Sequence, residues 1–432
     1  MKFFNLIILT LAAFILVIAV LVFGGFLPGF DRDPGAQAVR LEMWGPWSND
    51  SEMRNFISEL NREYEVLFNL TYVPHSPDVL VENYLSALAR GRAPDLIFID
   101  QDFLLRYDDT LAPYPLENIS ERVFRDNFAE AGNVFWSQNG ALALPVGVDP
   151  LVMYYNKDLY TNAGLTIPPQ NWTNFLLASR ALTQTDAENR IEISGAAMGE
   201  FSNIDRAKDI LSMLLIQGGS PIIDRQAGDR LVPVLDRDLG QPIPPAEAAV
   251  NFYTQFVDPR RNTFSWNRSQ PEARTAFQTG RLGHYFGLAS ERRVISNLNP
   301  NLNFDVAVVP QTDASNRRTY ARVSGLSVVA GSNNPGVAWQ AGNIIAFGYA
   351  DRLSEITGLA PASNVLLGRG HPDAFRDIFY RSAIISRSWL DPDPDRTEGI
   401  FGRMINSVNG RHLTTSEAVI RANRELLQAL SR

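Results

Sequence analysis

The chain has 432 residues, 47 acidic against 39 basic side chains, a net charge of −8 and no cysteine. Without cysteine there can be no disulfide, thiolate metal site or lipid-modified N-terminal cysteine, so a packed core must supply the stability. The acidic balance, with no basic stripe, argues against a nucleic-acid partner.

Leu6 to Leu27 is a run of 22 residues with no charge, Thr10 being its one polar side chain. A bilayer core takes about 20 apolar residues, whereas a secretory signal core is about 7–15 long. Residues 1–30 are therefore expected to be a retained transmembrane anchor, with the chain from about residue 39 onward on the extracytoplasmic side. Cleavage near Ala36-Gln37-Ala38 is the competing reading. About 400 residues follow, more than one core usually organises. Val39–Trp44 reads as a strand, and Met53, Phe56, Ile57, Leu60 and Tyr64 share one helical face. A strand from Val66 to Val73 follows, then a helical stripe on Val79, Leu80, Tyr84, Leu85 and Leu88, then a buried strand at Pro94–Asp100. This β-α-β-α-β order predicts a mostly parallel sheet flanked by helices. Leu151–Tyr155 is apolar and β-rich, with Asp149-Pro150 expected to lie just before the strand. Further helices are expected near 173–184, 206–217, 245–257, 271–279, 335–348, 398–408 and 415–430. The last of these opens on the capping-box pattern Thr414-x-x-Glu417.

The stretch from Ala141 through Pro145, Asp149, Tyr154-Tyr155-Asn156-Lys157-Asp158-Leu159 to Pro168-Pro169 and Trp172 resembles the core signature of family 1 extracellular solute-binding proteins, the maltose-binding-protein-like receptors of ABC importers. Pro94–Phe98, Ala276–Gly287, Val306–Pro310, Gly325–Val329, Asn334–Ala341 and Gly358–Pro361 resemble the family's further segments, in order. The resemblance implies a two-lobed periplasmic-binding-protein-like fold of type II, each lobe an α/β unit with a mostly parallel sheet. By analogy lobe one is 39–147 plus 326–370, and lobe two 148–325 plus 371–432. Ligand would lie between them, with strands crossing near Gly147 and Gly325.

Carried over by position, the candidate ligand residues are Trp47, Ser48 and Asn49 after the first strand, Gln101 and Asp102 after the third, and Asp149 on the signature strand. In lobe two they are Glu200, Phe201, Gly287, Ser290 and Trp389. Where the family has an aromatic and an arginine beside its contacting aspartate, this chain has Ile99 and Phe103. Ser290 stands where maltose binders carry a stacking tryptophan.

The four histidines are scattered, and no zinc-protease, nucleophile-elbow or phosphate-loop motif occurs. Asp391-Pro-Asp393-Pro-Asp395 lacks the glycine and glutamate of a calcium loop. No catalysis, cofactor or metal is expected. The expected partners are a small solute, with a sugar or oligosaccharide foremost, ABC permease subunits and, through the N-terminal helix, the membrane; the protein is expected to be a monomer. Two other readings are a sensor receptor for a membrane kinase and an anchored glycan-processing enzyme using paired carboxylates.

Overall fold

The computed structural model describes residues 38–48 and 50–431. The run Leu6–Leu27 and the candidate Asn49 lie outside the described residues. Among the described residues no helix is long and apolar enough to cross a membrane.

The chain starts as expected, with β1 (Val39–Gly45), α1 (Ser51–Glu63), β2 (Phe68–Pro74), α2 (Pro77–Ala89) and β3 (Leu96–Asp100). Asp50 caps α1 by accepting from the amides of Glu52 and Met53 at 3.0 and 3.1 Å, satisfying donors that a helix start leaves open. Met53, Phe56, Ile57 and Leu60 are buried on its inner face. The stripe expected on α2 narrows to Leu80 and Tyr84, because Val79 and Leu85 face outward. The chain then enters α3 (Gln101–Tyr107) directly from β3, capped by Asp100. Asp100-Gln101-Asp102 is therefore a helix start, not a free loop.

The strand expected to begin after Pro150 is longer. β4 runs unbroken from Leu144 to Asn156, with Pro150 in register opposite Ala321. The proline is tolerated because it marks a change of neighbours. Leu144, Val146 and Val148 belong to one hydrophobic core, with Leu41, Phe56 and Phe98. Leu151, Met153 and Tyr154 belong to a second, with Phe175, Phe286 and Phe401. Next along the chain are α4 (Trp172–Leu182), β5 (Ile191–Ala196), α5 (Ala207–Gln217), β6 (Leu282–Leu288), α6 (Glu291–Leu298), β7 (Phe304–Ala307) and β8 (Thr319–Val329). β8 crosses in the opposite sense, with Tyr320 in the second core and Ala321, Val323 and Leu326 in the first.

One twelve-stranded sheet runs through both units in the order β2-β1-β3-β8-β4-β6-β5, ending on the short strand Gln184–Thr185. β1 is parallel to β2 and β3. The crossing strands β4 and β8 are antiparallel to each other and to their outer neighbours β6 and β3. The C-terminal helices α7 (Ala374–Ile384), α8 (Pro394–Asn409) and α9 (Thr415–Leu430) close the chain. α9 begins with the expected capping box, Thr414 N–H donating to Glu417 at 2.9 Å. The result is a two-lobed α/β fold whose lobes are joined by β4 and β8.

Candidate functional site

The C-terminal end of β1 delivers Trp47 to the space between the lobes. The Tyr72 hydroxyl accepts from Trp47 N–H at 3.2 Å and donates to its carbonyl at 2.8 Å. The ring meets Phe98 edge-on at 4.7 Å. Gly45 makes this possible, since a Cβ there would lie 2.6 Å from Phe98 and 2.8 Å from the Tyr72 hydroxyl.

A cavity of about 360 Å³ opens in front of Trp47. Leu80, Val81, Phe98, Phe103 and Leu359 form its apolar wall, and Asp100, Asp149, Ser290, Ser324 and Thr357 supply polar groups. Trp47 and Asp100 come from lobe one, Asp149 and Ser324 from the crossing strands, and Ser290 from the start of α6. Asp149 Oδ1 accepts from Ser290 N–H at 2.9 Å. This bond joins the crossing strand to lobe two at the head of a helix, where a carboxylate is favoured. Enclosure nonetheless pushes the Asp149 carboxyl up to about 6, reinforced by Glu291 and opposed by Ser290 and Arg206.

A charged cluster adjoins this cavity. Arg322 stands opposite Asp149 in the β8–β4 register, but its guanidinium turns to Asp209 at 3.8 Å. Its Nε is enclosed and has no hydrogen-bond partner. Arg206 pairs with Glu291 at 2.6 Å and Lys208 with Asp391 at 2.5 Å. Asp100 keeps an open face to solvent while protein encloses its other sides, and that enclosure raises its carboxyl. Enclosure and the neighbouring Asp100 charge push Asp102 up to about 7, with Arg322 and Lys208 opposing.

Of the sequence candidates, Trp47, Asp149 and Ser290 come together in the cavity. Asp102 lies beside it, next to Asp100. Ser48 is exposed and donates to the capping residue Asp50 at 3.3 Å. Gln101 is buried and serves the hinge: Val323 N–H donates to its Oε1 at 2.9 Å, and its Nε2 reaches the Tyr320 hydroxyl at 3.4 Å.

The remaining lobe-two candidates are held elsewhere. Glu200 is buried and paired with Arg268 at 3.0 Å. Phe201 packs on α8 at Gly402. Gly287 sits in the sheet opposite Val152, where a Cβ would lie 2.6 Å from the Tyr285 ring. Its smallness serves aromatic packing there. Trp389 is buried, stacked near Phe401, with its indole N–H on Ser212 at 3.1 Å and Lys208 over its ring. It borders a different cavity, of about 740 Å³.

Asp391 is taken by Lys208 and Thr397, and Asp393 caps α8. No group that could hold a metal ion is found among the described residues. Sequence reading missed Asp100, Arg206, Lys208, Asp209 and Arg322. Arg322 did carry a signal, as the lone charge in an otherwise uncharged crossing strand, like Asp149 in its own. Lys208 and Asp209 head a helix that is otherwise uncharged.

Residues 50–343 match a family model described as bacterial extracellular solute-binding protein. Binding proteins of Brucella abortus and Brucella suis are 23% identical over 299 residues, covering 66% of this chain and 67% of theirs. Among solved structures, a cyclo/maltodextrin-binding protein complexed with maltotetraose superimposes with a TM-score of 0.73 at 16% identity, over 92% of this chain and 99% of that one. An ABC transporter solute-binding protein from Thermotoga lettingae bound with α-D-tagatose gives 0.64 at 19% identity, over 91% and 100%. An ABC substrate-binding protein from Listeria monocytogenes in complex with cycloalternan gives 0.65 at 14% identity, over 90% and 98%.

Proposed function

The chain belongs to the bacterial extracellular solute-binding protein family, and from that membership we propose that it captures a sugar or oligosaccharide between its lobes and hands it to an ABC importer. The observation that carries this is the cavity at the crossing strands, lined from lobe one by Trp47 and Asp100, from the hinge by Asp149 and from lobe two by Ser290. A solute lodged there touches both lobes and favours the arrangement in which both sets of contacts form. Sugars offer C–H faces to an aromatic ring and hydroxyls to carboxylates, and sugar-bound neighbours of the same fold support that class. The receptor performs no reaction in this reading. It acts as a monomer outside the cytoplasm, held by the Leu6–Leu27 run as a membrane anchor. Release of full-length protein by carbonate extraction would remove the anchor.

Calorimetric titration with a sugar and oligosaccharide panel tests the binding reading. A hydrogen bond to a charged group contributes about 1.5–3 kcal/mol, so Asp149→Ala is expected to weaken binding by about tenfold or more. Unchanged affinity would remove Asp149 from the site. Lost affinity with a large fall in melting temperature would mark it as structural.

A further inference from the structure

We propose that the solute held at the Asp149 cavity carries a protonated amine beside its hydroxyls, as in an amino sugar or an oligosaccharide containing one. The inference rests on the receptor reading and narrows its ligand class.

Three carboxylates, Asp100, Asp102 and Asp149, stand in or beside the cavity. Among the described residues, the cations around them are already engaged with other acids. Arg322 on β8 pairs with Asp209, Lys208 on α5 with Asp391, and Arg206 with Glu291 at the head of α6. Asp391 and the exposed Glu398 add further negative charge on the lobe-two side of the Asp100–Asp102 pair. The cleft therefore has an excess of negative charge. Its walls are chiefly apolar and aromatic, and one of the few hydroxyls, that of Thr357, already donates to the Leu353 carbonyl at 2.9 Å.

A neutral sugar donates hydroxyls to these carboxylates but leaves their charge enclosed and unbalanced, which is costly. A cation gains from the carboxylates and also from the face of an aromatic ring such as Trp47. Phosphate or sulfate would meet repulsion. Ser290 and Ser324 in the lining offer hydroxyls to the sugar's own hydroxyls. A hydroxylated amine therefore uses the carboxylates and the hydroxyls together.

Enclosure raises the carboxyls of Asp149 and Asp102 by more than Arg206 offsets at the first and Arg322 and Lys208 at the second, which fits this picture. A bound cation would pull both downward and drive protons off. Binding of the amine must then strengthen as pH rises from about 5 to about 6, a window in which an amino-sugar ammonium stays largely protonated.

The test is paired calorimetric titration of the 39–432 chain with a glucosamine disaccharide and its N,N′-diacetyl form. Titrations are run at about pH 5 and at about pH 6, in buffers of different ionisation heat. The amine form should bind about tenfold or more tighter at about pH 6, with net proton release. Its advantage should shrink at about pH 5, and in Asp149→Asn. Equal or tighter binding of the acetylated form, or binding of neutral sugars alone, overturns the amine inference and leaves the receptor reading standing. Binding of neither disaccharide nor any other sugar overturns both.

Discussion

At the scale of single residues, Asp149 combines two features that can be separated by titration. It accepts an amide hydrogen bond from Ser290, yet enclosure raises its carboxyl from the usual carboxylate range to about 6. A carboxyl raised on folding holds its proton more tightly in the native state. Its contribution is therefore full below about pH 4 and lost as pH rises through about 6. Asn keeps the shape and the acceptor oxygen but not the charge. The melting temperature of Asp149→Asn relative to wild type is thus expected to rise between about pH 4 and pH 6.5. A difference that stays flat across that window would show that Asp149 titrates at its ordinary value. The comparison must be made against wild type at each pH, because His284 slopes the other way. Buried against Gly195 and Tyr160, His284 is pushed down to about 4, so its neutral form contributes stability that is lost as pH falls from about 6.5.

At the scale of elements, local patterning explains what could be read from the chain. α1 shows a clean helical stripe and a capping aspartate, β1 to β3 alternate with helices, and α9 carries its capping box in four residues; each is specified by neighbours in sequence. Asp149 was named from the signature stretch, and Trp47 and Ser290 from position along the family's segments; the structure brings these three to one cavity. Glu200 and Trp389 lie outside that cavity, because their surroundings are made by distant partners, Arg268 for one and Ser212 with Lys208 for the other. The Arg322–Asp209 pair joins residues over a hundred positions apart, which no local spacing encodes. The same holds for the hairpin of Ile223–Arg225 and Leu231–Pro233. It grows from the second core, yet the Arg225 guanidinium donates to the carbonyls of Trp136 and Val134 in lobe one, and Gln138 N–H donates to Asp229 at 2.9 Å. Leu231 packs against both cores. Arg225→Ala deletes the guanidinium contacts while sparing the core residues Ile223 and Trp136. Amide exchange is expected to quicken in 223–233 and 136–141 together and to stay unchanged in β1 and β2. Faster exchange confined to 223–233 would mean that the hairpin is not holding lobe one.

At the scale of the whole molecule, the two cores meet chiefly through β4 and β8, each of which changes core between one residue and the next few. A third crossing lies near the C-terminus, where Tyr380 and Leu390 belong to the first core and Phe379 and Trp389 to the second. Few covalent paths between two well-packed bodies favour rotation about the crossings over deformation within either body. In the proposed receptor reading the free energy for closing comes from the solute, which makes contacts to Trp47 and Asp100 on one side and Ser290 on the other together only when the lobes are closed. Differential contact of this kind shifts the population of states and also raises apparent stability by mass action. Small-angle scattering of the 39–432 chain should therefore show a smaller radius of gyration at saturating ligand than without it. Asp149→Ala should need a higher ligand concentration to reach the same compaction. Superimposable curves with and without ligand, at concentrations that raise the melting temperature, would demonstrate binding without closure and overturn the hinge reading.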